Sequence, residues 1–87
     1  MDYFAKYNQE AWDLKHNIVN AMREVIKEKG YVITSAPLKL KADSKTIEVE
    51  PDRILIDGWH TDHFSVEQLL EALHACYHII PFYQYGW

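Results

Sequence analysis

The sequence predicts an α+β fold in the order α-β-β-β-α, on three observations. Apolar residues recur at spacings of three and four over residues 3–29. Short alternating runs separated by turn residues fill 31–57. A helix-capping signature at Ser65 opens a second run of helical periodicity. The chain has 87 residues, 48% of them hydrophobic and 14% aromatic, enough for one packed domain spanning 1–87 and too apolar for a disordered chain.

Residues 3–29 form one long helix. Phe4, Tyr7, Ala11, Leu14, Ile18, Ala21 and Val25 make a heptad-like seam. Trp12, Val19, Met22 and Ile26 widen it into a broad apolar face. Asp2 is the expected N-cap, with Asn8 as the alternative. Lys27 and Lys29 suit the negative end of the helix dipole, and Gly30 suits the left-handed residue beyond it. Such a helix is about 40 Å long, whereas strands of five or six residues span about 17–20 Å. It must overhang the sheet or cross it obliquely, leaving apolar residues near its start for the C-terminal tail or a second chain to cover. A homodimer is the expected assembly.

Strands follow. Tyr31–Ser35 is β-branched and aromatic, and Ala36-Pro37 interrupts it. Leu38, Leu40 and Ala42 alternate with Lys39 and Lys41, and Asp43-Ser44-Lys45 turns the chain. Ile47 and Val49 alternate with Thr46, Glu48 and Glu50. Pro51-Asp52 makes the next connection, and Ile54, Leu55 and Ile56 form the last strand, which ends at Gly58. Together these predict an antiparallel meander of three or four strands. Gly58–Phe64 reads as a loop. In the second helix Val66, Leu69, Leu70, Leu73, Tyr77 and Ile80 are the expected buried face, with Cys76 at its edge and Pro81 as the stop. Four of the last six residues are aromatic, which predicts an ordered tail packed back on the domain, with an added strand as one form of it.

The net charge is −4, and all of it lies in residues 51–87, with one Arg against five acids. The basic stripe of a nucleic-acid binder is missing, so nucleic acid is not an expected partner. Cys76 is the sole cysteine, which fits a reducing, cytoplasmic setting. No signal-peptide pattern and no apolar run of membrane-spanning length is present, so no membrane contact is expected.

Residues 57–78 concentrate the candidate chemistry, with four of the five histidines. Glu67, Glu71, His74 and His78 share the polar face of the second helix. His74 and His78 have the i,i+4 spacing that can share a metal, and His60 and His63 could add ligands, which would suit zinc. One chain cannot easily bring the loop and the far end of the helix to one ion. Trp59, Phe64, Tyr83, Tyr85 and Trp87 offer the large rigid surface typical of protein interfaces. Without a nucleophile–base pair, no catalytic residue is assigned and no enzyme is expected.

The element order resembles that of a double-stranded-RNA-binding domain in outline. That family opens its second helix with a basic Lys-Lys-x-Ala-Lys-type run that grips phosphate; here the matching place reads Ser65-Val66-Glu67-Gln68-Leu69 and is acidic. The resemblance therefore extends to topology and not to that grip.

The leading functional expectation is a non-enzymatic protein-interaction module, a small regulator, inhibitor or accessory factor of mobile-element type acting on a larger protein. It needs no cofactor. The alternatives are a zinc-type metal-binding domain using His60, His63, His74 or His78, and a nucleic-acid-binding module using Lys39, Lys41, Lys45 and Arg53.

Overall fold

A computed structural model describes the backbone of residues 3–81 and the side chains of residues 10–80. It shows the expected α+β architecture, with five strands rather than three or four. Helix α1 (Tyr3–Glu28) leads to β1 (Leu38–Ala42), β2 (Lys45–Val49), β3 (Ile54–Ile56) and β4 (Trp59–His60). A single 3-10 turn (Thr61–His63), α2 (Val66–Cys76) and β5 (Ile79–Pro81) follow. Every pairing is antiparallel, in the spatial order β4-β3-β2-β1-β5. The meander thus gains a fifth strand when the chain returns beside β1.

Register explains the two faces of the sheet. Leu40 pairs with Ile47, which pairs with Ile56; Leu38 pairs with Val49, which pairs with Ile54. Directly opposed residues point to the same face, so these two rows form one apolar surface. It packs with Ile18, Met22, Val25 and Ile26 of α1 and with Leu69, Ala72, Ala75 and Cys76 of α2 in one core. The opposite face carries the row Lys39–Glu48–Leu55–His60, beside Lys41, Thr46 and Ile80.

Among the described side chains of α1, those buried in this core begin at Ile18. Leu14 and Trp12, expected on the buried face, are about half exposed, at 47% and 51%. The cause is length: 26 residues of helix reach about 39 Å, well beyond strands of two to five residues. The side chains of Phe4 and Tyr7 lie outside the described residues. The helix passes through Asn8 without a break, which removes that alternative N-cap; Asp2 lies outside the described residues. Gly30 takes φ +99°, its N–H donates to the Lys27 carbonyl, and the Tyr31 N–H donates to that of Ile26. This is a Schellman cap, and Tyr31 packs on the core beside it.

Four expectations need correction. Residues 31–35 form no strand. Both edges of β1 are taken, by β2 and β5, so a preceding strand has no ladder to join beside it; Tyr31 and Ile33 instead pack on the core as an irregular connection. Gly58–Phe64 is not a plain loop. Asp57 and Gly58 both take positive φ, 52° and 88°, and Ile56 pairs with Trp59 across them. That is the geometry of a two-residue type I′ hairpin, for which Asp-Gly is a strong signal. Third, α2 ends at Cys76, so Ile80 belongs to β5 and Pro81 is not the helix stop. Last, the buried face of α2 is turned toward Leu69, Ala72, Ala75 and Cys76, leaving Leu70 and Tyr77 exposed. Two alanines let the helix approach the sheet on the side where leucines were expected.

The capping box is formed as expected. The Gln68 N–H donates to Ser65 Oγ at 3.1 Å, and the Ser65 N–H donates to Gln68 Oε1 at 2.8 Å.

Two outcomes follow for stability. Ile26→Ala, at a position with no exposure, is expected to cost about 2–5 kcal/mol in urea unfolding, while Leu14→Ala on the overhang should cost less than about 1 kcal/mol. Gly58→Ala meets no atom within 4 Å, so its cost comes from the left-handed backbone alone, about 1–2 kcal/mol in the same measurement.

Candidate functional site

The first concave surface lies between α2 and the β1–β2 turn. The two-residue connection Asp43-Ser44, with Asp43 at φ 56°, brings the hairpin tip against the helix. Asp43, Ser44 and Lys45 on one side and Glu67, Leu70, Glu71, His74 and Ala75 on the other enclose a groove of about 520 Å³. Three carboxylates and one ammonium line it. Leu70 is 48% exposed, an apolar side chain set between two glutamates. The acidic face of α2 anticipated from the sequence is therefore opposed by a second element, which the sequence did not suggest.

The remaining residues of the expected interaction surface are dispersed. Trp59 is 60% exposed and sits edge-on to His63, with ring centroids 5.2 Å apart. Phe64 is half-buried against the core. His78 lies two residues past α2, its ring 6.0 Å from that of His74. Tyr83, Tyr85 and Trp87 lie outside the described residues.

The four candidate metal ligands fall in two pairs, His60 and His63 around the 3-10 turn and His74 and His78 at the end of α2. Among the described residues no three His, Cys, Asp or Glu side chains come together as a metal site would need. His60 is already engaged locally, because its Nδ1 accepts the Asp62 N–H at 3.0 Å and caps the 3-10 turn. Asp62 Oδ2 is 3.5 Å from the same nitrogen. A proton on Nδ1 would form the ion pair and forfeit the cap, so one nitrogen cannot serve both.

The four basic residues considered for nucleic acid do not share a surface. Lys39 and Lys41 point to the sheet face opposite the core, Lys39 beside Glu48. Lys45 lines the acidic groove. Arg53 donates from Nε and Nη2 to the two Glu50 carboxylate oxygens at 3.2 and 3.3 Å, and this bond, with the charge of Glu50 behind it, raises its pKa.

A second cleft draws on residues that look like ordinary helix surface in the sequence. Trp12, Lys15, His16, Val19, Asn20 and Arg23 of α1 face the β2–β3 connection, Pro51–Ile54, and the start of the 3-10 turn, His60–Asp62, across about 400 Å³. Arg23 Nη1 donates to the Glu50 carbonyl at 2.6 Å and ties helix to sheet. Helical spacing could have grouped the α1 residues; the elements facing them depend on the tertiary fold.

Cys76 is fully buried. Burial pushes its thiol up to about 11, so it is neutral and acts as a packing group.

Compared with known protein families, curated proteins and solved structures, the chain shows no significant match. Among the described residues no helix is long and apolar enough to cross a membrane.

The Cys76 environment has a signed consequence. The folded thiol holds its proton up to about pH 11, whereas an exposed thiol releases it near 9.0. Between those values the unfolded chain binds fewer protons, so stability must fall as pH rises. Unfolding free energies measured across this window should decline more steeply for the native chain than for Cys76→Ala.

Proposed function

We propose that this protein is a small, non-enzymatic protein-interaction module that acts in the cytoplasm on a larger protein. The groove between α2 and the β1–β2 turn carries this reading, because it joins an exposed apolar floor to a carboxylate rim. Leu70 offers an anchor site for an apolar side chain, while Asp43, Glu67 and Glu71 favour a positively charged segment. Recognition of an amphipathic segment by an apolar groove is a common mode of peptide binding. Complementary charge at the rim would speed encounter and fix register more than add affinity. Regulators and inhibitors use such surfaces to occupy a basic site on a partner.

Leu70 and Tyr77 extend the surface along the solvent side of α2. Their exposure comes from the rotation of the helix toward its alanines: burying Ala72 and Ala75 leaves these larger side chains outside. A small domain gains stability from every apolar side chain it buries, so two large ones left outside, Leu70 on α2 and Tyr77 at its C-cap, fit a surface that another molecule covers. The lone, buried thiol of Cys76 suits a reducing compartment.

Selection of random peptides displayed on phage against the immobilised full chain tests the reading. Expected ligands are rich in Lys and Arg around one or two large apolar residues. Their affinity should fall by more than about tenfold against the paired variant Glu67→Lys, Glu71→Lys, whose residues are exposed and outside the core. Ligands without basic enrichment, or ligands indifferent to the charge reversal, would overturn it.

A further inference from the structure

We propose that the cleft between α1 and the β2–β3 turn binds a small phosphate-bearing ligand with a planar ring, of the mononucleotide class. The chain as a whole is acidic, at −4. This cleft departs from that balance: Lys15, Arg23 and Arg53 line it against Asp52 and Asp62. Its volume, about 400 Å³, falls within the range of small-molecule sites.

The two α1 cations are available for a ligand. Lys15 is half-buried and has no carboxylate within salt-bridge distance among the described residues. Arg23 is also half-buried, and its one bond to the Glu50 carbonyl holds the guanidinium in place while leaving other N–H groups to donate. The two residues are eight apart, about 12 Å along the helix axis, a distance their long side chains can close around one phosphate. Asn20 lies between them on the same lining face. Arg53, on the far wall, is committed to Glu50, so the free positive charge of the cleft is that of Lys15 and Arg23.

The ring site lies at the lip. Trp12 lies against His16 in a tilted pair, with centroids 3.8 Å apart and an interplanar angle of 36°, and the indole stays half exposed. His16 Nδ1 donates to the Trp12 carbonyl at 3.1 Å, which leaves Nε2 of the neutral ring as an acceptor. An aromatic platform one helical turn from an ammonium is the arrangement that stacks a base and holds its phosphate. Val19, half-buried, supplies the apolar wall between.

Titration of the full chain with AMP, adenosine and inorganic phosphate tests this, read by tryptophan fluorescence and by the indole N–H signals in NMR. AMP is expected to perturb one indole, assigned by its loss in Trp12→Ala, and to bind at least about tenfold more tightly than adenosine or phosphate alone. Lys15→Glu should weaken AMP by more than about fivefold while leaving the melting temperature unchanged. No response to AMP at about 5 mM, equal binding of adenosine, equal binding of phosphate, or an undiminished Lys15→Glu would each overturn the proposal. So would a single-stranded oligoribonucleotide preferred over AMP by more than about tenfold, which would make the cleft part of a nucleic-acid track.

Discussion

The apolar contact of Ile18, Met22, Val25 and Ile26 with the inner rows of the sheet is the interaction on which the rest depends. Strands this short and a second helix of 11 residues have little independent stability. The C-terminal half of α1 gives both of them a common surface. Its position is fixed twice over. The Schellman cap at Gly30 ends the helix on the core, and Arg23 ties its flank to the Glu50 carbonyl. Because α1 is anchored at that end, Trp12 and Leu14 stay about half exposed, and the side of the helix that carries Trp12, Lys15 and Arg23 becomes the wall of a cleft.

Hairpin turns alternate between the two ends of an antiparallel sheet, and this separates the two candidate surfaces. The β1–β2 turn meets α2 and contributes Asp43 to an acidic groove. The β2–β3 turn, at the other end of the strands, meets α1 beside Lys15 and Arg23. The two turns thereby serve different surfaces, while Lys15 of α1 and Glu67 of α2 also line one hollow between the two helices. Each surface carries charges of both signs, Lys45 among the carboxylates of the groove and Asp52 and Asp62 among the cations of the cleft.

Features that local chemistry determines are legible in the sequence. The α+β class, the half-buried strands around Leu40, Ile47 and Val49, the Gly30 stop and the Ser65–Gln68 box all follow from spacing and capping within a few residues. Tyr31–Ser35 has the composition of a strand and forms none, because β propensity measures fit to a pleated surface and β1 has both of its edges occupied. The face of α2 escapes sequence reading for a related reason. Periodicity favours large apolar residues, whereas close packing on a sheet favours Ala72 and Ala75. The acidic residues of the groove are legible, but their opposite wall is not, since Asp43 and Glu67 are brought together only by the fold. The α1 cleft is illegible for the same reason: Lys15 and Arg23 look like ordinary helix surface until Pro51–Ile54 stands across from them.

Asp57 and Gly58 show how a local backbone choice sets a distant surface. With both residues at positive φ the chain reverses in two residues, and Trp59 pairs directly with Ile56. The Asp57 side chain reinforces the reversal by accepting the Thr46 N–H at 2.8 Å, and the Asp57 N–H returns a bond to the Thr46 carbonyl. This ties the hairpin to β2 rather than to its own strand alone. A longer loop would leave β4 free to slip, and a one-residue slip would exchange the faces of Trp59 and His60. His60 would then no longer cap the 3-10 turn from its present side, and the His60–Asp62 wall of the α1 cleft would lose its position. The cleft therefore depends on turn chemistry far along the chain from the helix that forms its other side, a coupling carried entirely by the sheet register.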